Sequence, residues 1–184
     1  MTKGAIAIAA LASLVLAVPA AAKPRLFVNG DSLAVGSKPY LPDALPGWGI
    51  RTSAVVSRHA ADGPAVLSAQ ARLPRFIAVS LGTNDDPRFT DAFREAIDET
   101  MTTAGDRCVV WANIVRPPVA GASYDGYNRV LREEARERDN LKIVDWKGMV
   151  GRHPEWLGED GVHVSAAGYR ARARAYARKI RACP

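Results

Sequence analysis

The sequence predicts an α/β protein: a three-layer α/β/α sandwich built on a five-stranded parallel sheet. Three observations predict it. From residue 25 onward, short apolar runs alternate with longer amphipathic segments. Several short runs are apolar at nearly every position, as strands covered on both faces must be. Polar, turn-forming residues follow the first three runs, at the carboxyl ends where open parallel sheets collect their active sites.

The elements fall in a regular order. Residues 25–29 form the first strand and run straight into Gly30-Asp31-Ser32. Residues 49–56, 75–81, 108–115 and 141–145 supply the second to fifth strands. Residues 59–73 read as a helix through Val66, Leu67 and Leu73. Residues 90–103 place Phe93, Ile97 and Met101 at i, i+4 and i+8, which makes one helical face. Residues 124–138 repeat that pattern with Tyr127, Val130, Leu131 and Ala135. Residues 165–181 close the chain as an Ala/Arg-rich helix with Ser165 as its N-cap. Residues 36–49, rich in Pro and Gly, form an irregular and partly helical connection.

The first 22 residues read as an export signal. Lys3 and the amino terminus give a positive start, residues 5–18 an apolar stretch, and Ala20-Ala21-Ala22 a cleavage site. The apolar run is short for crossing about 30 Å of hydrocarbon, so no stable membrane insertion is expected after cleavage. Residues 23–184 then form a single domain, secreted or periplasmic, long enough for its own core. Cys108 and Cys183, in an oxidising compartment, read as a disulfide.

The formal net charge is +6. Much of the excess lies in Arg170, Arg172, Arg174, Arg178, Lys179 and Arg181. That stretch reads as the solvated face of a terminal helix, with cations near the negative end of its dipole, ahead of adhesion to an acidic polymer. No nucleic-acid-binding motif accompanies the charge.

Acyl-ester chemistry through a serine needs a nucleophile, a base, a group orienting the base, and donors for the oxyanion. Only three histidines are available. His163 sits in Asp160-Gly161-Val162-His163, where an Asp three residues ahead can fold back onto the ring and Gly161 permits the turn. His59 and His153 read as structural or surface residues. Ser32, at a strand-to-helix turn, is the nucleophile candidate, although a helix-capping serine is the commoner use of that position. Gly82-Thr83-Asn84-Asp85 follows the third strand. No Gly-x-Ser-x-Gly and no His-Glu-x-x-His occurs, which disfavours an α/β-hydrolase and a metalloenzyme; no cofactor or metal is expected.

Gly30-Asp31-Ser32-Leu33, Gly82-Thr83-Asn84-Asp85 and Asp160-Gly161-Val162-His163 resemble blocks I, III and V of the SGNH hydrolases, also called GDSL-type esterases. The resemblance covers essentially the whole chain after the leader. It is closest to the SGNH domains found beside polysaccharide O-acyltransferases, through Val55-Val56-Ser57-Arg58, Val144-Asp145-Trp146 and His153-Pro154. The membrane acyltransferase portion has no counterpart. The resemblance implies a flavodoxin-like fold, Ser32 as nucleophile, Asp160 and His163 completing the triad, and Ser32 and Asn84 as oxyanion donors.

One departure stands out. Block II of the family offers a Gly whose N–H is the third donor; the aligned position is Arg58, with Gly63 as a fallback. An N–H is present at Arg58, and its side chain is expected to turn away, across the mouth of the site. The implied activity is hydrolysis of short acyl esters, acetyl foremost, on a small molecule or a carbohydrate. An O-acyltransferase, a lipase or thioesterase, and a catalytically silent carbohydrate-binding relative are the alternatives. Trp48, Trp111, Trp146 and Trp156 read equally as sugar platforms or as packing aromatics.

Overall fold

A computed structural model describes Met1 and residues 22–184. The expected leader falls, apart from its two end residues, outside the described residues. Five strands alternate with helices: β1 (Arg25–Gly30), β2 (Gly49–Ala54), β3 (Phe76–Ser80), β4 (Cys108–Ala112) and β5 (Leu141–Val144). All pair in parallel, in the order β2-β1-β3-β4-β5. β1 therefore lies between the strand that follows it and β3, where the winding direction reverses. Open sheets place their ligand crevice at such a switch point, at the carboxyl ends of the strands.

Period-2 alternation divides the core into two layers. Phe27, Ile77, Val79, Val109 and Trp111 face one way, against α3 (Gly63–Ser68), α4 (Thr90–Ala104) and α5 (Asp125–Glu137). Leu26, Val28, Ala78, Val110 and Ala112 face the other, against α1 (Ser32–Ser37), α2 (Leu41–Ala44), α6 (Trp146–Arg152) and α7 (Ala166–Arg181). Each fully buried Leu, Ile or Phe in these layers stabilises by roughly 1.5–3 kcal/mol. α4 buries Phe93, Ile97 and Met101 on one face and stops at Gly105, whose φ of 59° turns the chain back into β4.

Two helical segments differ from expectation. The helix expected over 59–73 is α-helical only over Gly63–Ser68, preceded by a 3-10 turn, Ala60–Asp62. His59 and Asp62 cap that turn reciprocally, and Pro64, lacking an N–H, belongs in a first helical turn, so α3 starts afresh at Gly63. α6 was not expected, because two glycines weaken its helical signal. Its start is fixed by Asp145, whose carboxylate accepts from the Gly148 N–H at 3.0 Å. A Cβ at Gly148 would lie 2.1 Å from that carboxylate, so the capping geometry requires the glycine.

Cys108, the first residue of β4, is bonded to Cys183 beyond α7, with Cα atoms 6.2 Å apart. Among the described residues, no helix is long and apolar enough to cross a membrane. The disulfide closes a loop over a sequence separation of 75 residues. Chain entropy assigns such a loop about 4–5 kcal/mol. Replacing both cysteines by alanine should lower Tm by roughly 10–15 °C, and a reductant should produce the same shift in the unsubstituted protein. Equal Tm values with and without reductant would remove the staple role.

Candidate active site

The site forms where β1 and β3 end. Asp31 leaves β1 in extended conformation and caps α1, its Oδ1 accepting from the Leu33 N–H at 3.0 Å. Ser32 is therefore the first helical residue, its hydroxyl turned outward and its N–H without an intrahelical acceptor. Gly30 permits this tight turn: a Cβ there would lie 2.3 Å from the Ala34 Cβ.

Asp31 is fully buried, and its backbone N–H donates to the Ser80 carbonyl at 3.0 Å. Oδ1 also accepts from Ser80 Oγ at 3.1 Å, and that oxygen accepts from Arg172 Nη2 at 3.0 Å. Arg172 is itself only 2% exposed and lies against Trp146 and Tyr176, 4.9 and 5.5 Å from their ring centroids. Burial pushes the Asp31 carboxyl above its ordinary range, against the opposing pull of the Arg172 charge and the hydrogen bonds from Ser80 and Leu33.

The base arrives from the loop before α7. Gly161, at φ 65°, turns the chain so that Asp160 Oδ1 accepts from the N–H groups of Val162 and His163 at 3.0 and 2.9 Å. The other oxygen, Oδ2, takes His163 Nδ1 at 2.6 Å, and His163 Nε2 stands 2.8 Å from Ser32 Oγ. With Nδ1 holding its proton toward the carboxylate, Nε2 is the acceptor for the serine proton. The His163 hydrogen bond, aided by the Val162 N–H, holds the Asp160 carboxyl down at about 2. About half of each of these two side chains is exposed, so the triad is an open one. His59 and His153 stand elsewhere: the first lies 3.4 Å from Asp85, the second 3.0 Å from Glu155.

Asn84 follows β3 in a loop made by Gly82, whose φ of 105° and closeness to Ile114 and Phe93 leave no space for a side chain. Tyr124 donates to the carbonyls of Thr83 and Asp85 at 3.2 and 2.8 Å, and Arg116 donates to Thr83. The Asp85 carboxylate accepts from the Ala60 N–H at 3.0 Å, joining this loop to the segment after β2. One hydrogen of the Asn84 amide is used on the Arg58 carbonyl at 3.2 Å, which leaves the second available.

Arg58 departs from expectation twice. Its backbone N–H donates to the Val55 carbonyl at 3.2 Å, closing a turn in which Ser57 adopts a φ of 63°. The third-donor role expected of that N–H is therefore not presented, because the turn uses it. Its side chain runs inward rather than across the mouth. Nη1 donates to the Ser53 and Gly30 carbonyls at 2.6 and 3.3 Å and to Asn29 Oδ1 at 3.1 Å, while Nη2 reaches Ser53 Oγ at 3.2 Å. Arg58 thus braces the end of β1 with its guanidinium and Asn84 with its carbonyl. The fallback, Gly63, opens α3, and its carbonyl accepts from Asn29 Nδ2 at 2.9 Å. A Cβ at Gly63 would stand 3.0 Å from Leu81, so this glycine serves packing.

The brace and the Arg172 network escaped sequence reasoning. Ser57-Arg58 after the second strand was visible, but nothing in it tells which way a guanidinium turns. Two of the four tryptophans are buried and two are half-buried. Trp111 and Trp146 are fully buried, Trp48 packs on Phe76 at 5.1 Å, and Trp156 is stacked between His153 and Trp146 at 4.2 and 6.0 Å.

Known proteins are similar to this chain in sequence and fold. O-acetyltransferase OatA of Staphylococcus aureus is 28% identical over 147 residues, covering 77% of this chain and 23% of the relative. The chain therefore spans about a quarter of the length of that curated relative. The C-terminal catalytic domain of peptidoglycan O-acetyltransferase A from Streptococcus pneumoniae superposes with a TM-score of 0.68 at 22% identity, over 88% of this chain and 92% of that one. An acetyl xylan esterase variant from Geobacillus stearothermophilus gives 0.64 at 20% identity, over 85% and 94%. Residues 28–171 match the GDSL-like Lipase/Acylhydrolase family, reaching from β1 through the triad and into α7, and the chain belongs to that family.

Proposed function

We propose that the protein is an exported serine esterase that removes short acyl groups, acetyl foremost, from hydroxyl groups of a carbohydrate. The observation that carries this reading is the unbroken chain from Ser32 Oγ through His163 to Asp160, at 2.8 and 2.6 Å. Ser32 Oγ attacks the ester carbonyl as His163 Nε2 takes its proton. The oxyanion is held by the Ser32 N–H and the free hydrogen of the Asn84 amide. His163 returns the proton to the leaving alcohol. Water, deprotonated by the same ring, then releases the acid and restores Ser32. Asp160 remains ionised throughout and stabilises the imidazolium.

The openness of the triad supports a short acyl group on a bulky alcohol. The hollow beside His163 is bordered by Trp156, Leu157 and Glu159 and does not form a tunnel for a long chain. Val35, three residues past Ser32 on the same helical face, is exposed, and so are Val55 and Val56 in the adjoining loop. Val55 donates its N–H to the Gly30 carbonyl at 3.0 Å, which keeps this apolar surface beside the turn that carries Ser32. Export is supported by the leader-like residues 1–22 and by the disulfide. A second reading, O-acyl transfer in which a sugar hydroxyl replaces water, is favoured by the likeness to O-acetyltransferases.

A fluorophosphonate probe should label the protein, short p-nitrophenyl esters should turn over, and both should vanish in Ser32→Ala. Labelling that survives this substitution would overturn the assignment. Adding an oligosaccharide acceptor separates the two readings: acetylated sugar means transfer, free acetate alone means hydrolysis.

Asp160→Asn should lower kcat by about 10²–10⁴ by leaving His163 unoriented. The depressed Asp160 carboxyl is ionised above its ordinary range and loses its charge only as pH falls through about 2. At about pH 7 the replaced carboxylate is therefore fully ionised, and an Asp160→Asn variant with wild-type kcat at that pH would contradict the role.

Arg58→Lys keeps the charge but loses the fork. It should cost kcat part of the roughly 10²–10³ that losing Asn84 costs, with KM nearly unchanged. A variant with wild-type kcat would dismiss the brace.

A further inference from the structure

Of the six cations that the sequence gathers in the last helix, five are exposed, as a solvated helix face requires, and one is turned into the fold. Arg172 is buried, Arg170 lies over the Tyr40 ring at 5.3 Å, and Arg181 donates to the Ala44 carbonyl at 2.7 Å. A different set of cations is gathered at the opposite end of the sheet from Ser32. Lys23 and Arg25 at the start of β1, Arg51 in β2, and Arg72 and Arg75 before β3 line one groove of about 720 Å³. Among the described residues, no acidic residue lines it. Among the described residues, none of Lys23, Arg25, Arg51 and Arg72 has a carboxylate at ion-pair distance.

Two of the five are held in place. Arg51 lies 5.6 Å from the Phe27 ring centroid and donates to the Arg72 carbonyl at 2.8 Å; Arg75 lies over Phe76 and donates to the backbone oxygen of Pro184, the last residue of the sequence, so that Lys23, Arg25, Arg51 and Arg72 are the uncompensated cations. Lys23, Arg25 and Arg72 are exposed. Crowding like charges without a counter-charge is unfavourable even in water, by up to about 1 kcal/mol for each close pair. An anionic ligand relieves that cost.

We propose that this basal groove binds a linear polyanion with repeating phosphate or carboxylate groups, holding the enzyme on an acidic polymer while the catalytic end stays free. The cations come from three segments, the starts of β1 and β2 and the approach to β3, across strands about 5 Å apart. A single small anion cannot meet all of them, and a threaded chain can. Arginine forks, four of the five cations, match phosphate and carboxylate oxygens in pairs. Ile50 and Leu73 on the lining accommodate the uncharged backbone of such a polymer. A flat anionic membrane meets only the rims of a groove. The proposal stands apart from the esterase reading, because β1, six residues and about 20 Å long, separates the groove from Ser32.

The test uses long-chain inorganic polyphosphate and polygalacturonate as fluorescent probes, with phosphatidylglycerol vesicles as a third arm. The two polymers tell a phosphate source from a carboxylate source, and binding to either supports the proposal, with affinity falling steeply as salt rises. Lys23→Gln/Arg25→Gln/Arg72→Gln should weaken polymer binding by about tenfold or more. Arg174→Gln/Arg178→Gln/Lys179→Gln, which removes as many charges elsewhere, should weaken it by less than about threefold. Folding of each variant is read from its Tm, so a failure of the esterase reading leaves this test intact. Equal weakening by the two triple variants, no polymer binding at low salt, or binding to the vesicles alone would overturn the proposal.

Discussion

The structure depends most on one buried carboxylate. Asp31 stands where β1 gives way to α1, and it performs three tasks at once. It caps α1, it ties β1 to β3 through Ser80, and it lies in the field of Arg172 from α7. Its raised pKa means that ionising it in the folded protein is unfavourable, so the contribution of Asp31 to stability is greatest below the ordinary carboxylate range and declines as pH rises through the shifted value. At neutral pH the charge is therefore a cost. Arg172 and the hydrogen bonds offset part of it, as expected for buried pairs whose use is geometry rather than stability. The geometry gained is the position of Ser32, which cannot move without dismantling the cap.

From that anchor the catalytic parts are placed by relay rather than by direct contact. β3 leads from Ser80 to Gly82, and the loop it starts carries Asn84. Arg58 closes the circuit by gripping Gly30 and Asn29 with its guanidinium and Asn84 with its carbonyl. Nucleophile and oxyanion donor are thus held to one frame from two sides. Only the base is independent, and its loop is organised internally by the Asp160 carboxylate, which accepts from Val162 and His163. Asp160 therefore orients the imidazole and builds the turn that delivers it.

The sequence revealed those parts of the fold that follow from short-range rules. Near-continuous apolar runs located β1, β3 and β4, which are buried almost throughout, whereas β2, an edge strand with Arg51, Thr52 and Ser53, was placed by the order of the elements. The juxtaposition of Ser32, His163 and Asp160 was legible because the chemistry proposed for it needs a few residue types, one at the end of β1 and two in the turn before α7. Arg172 was not legible. It lies in an alternation of Ala and Arg in which one arginine looks like the next, and only the rotation of α7 against the sheet decides which one is buried. Arg58 failed for a related reason. The sequence identifies a backbone N–H at that position, but the turn that spends it on Val55 is set by Ser57 in a left-handed conformation that sequence gives little reason to expect of a serine. α6 was hidden because a capping requirement, not helical propensity, put Gly148 there.

The exposed triad also bears on the choice between hydrolysis and transfer. Both fates share one acyl-enzyme on Ser32, and they differ only in which hydroxyl reaches the carbonyl carbon. His163 and Asp160 are each about half exposed, and among the described residues no element covers them. Water therefore reaches the acyl-enzyme, and transfer requires an acceptor held so that its effective concentration exceeds that of bulk water. Well-oriented intramolecular partners reach about 10⁵ M or more, so an acceptor gripped beside Ser32 wins and one merely diffusing loses. The discriminating feature is then how firmly an acceptor hydroxyl is held beside Ser32, not the arrangement of Ser32, His163 and Asp160, whose geometry serves either outcome. A fold shared by esterases and O-acetyltransferases is the expected result where both reactions can pass through one acyl-enzyme.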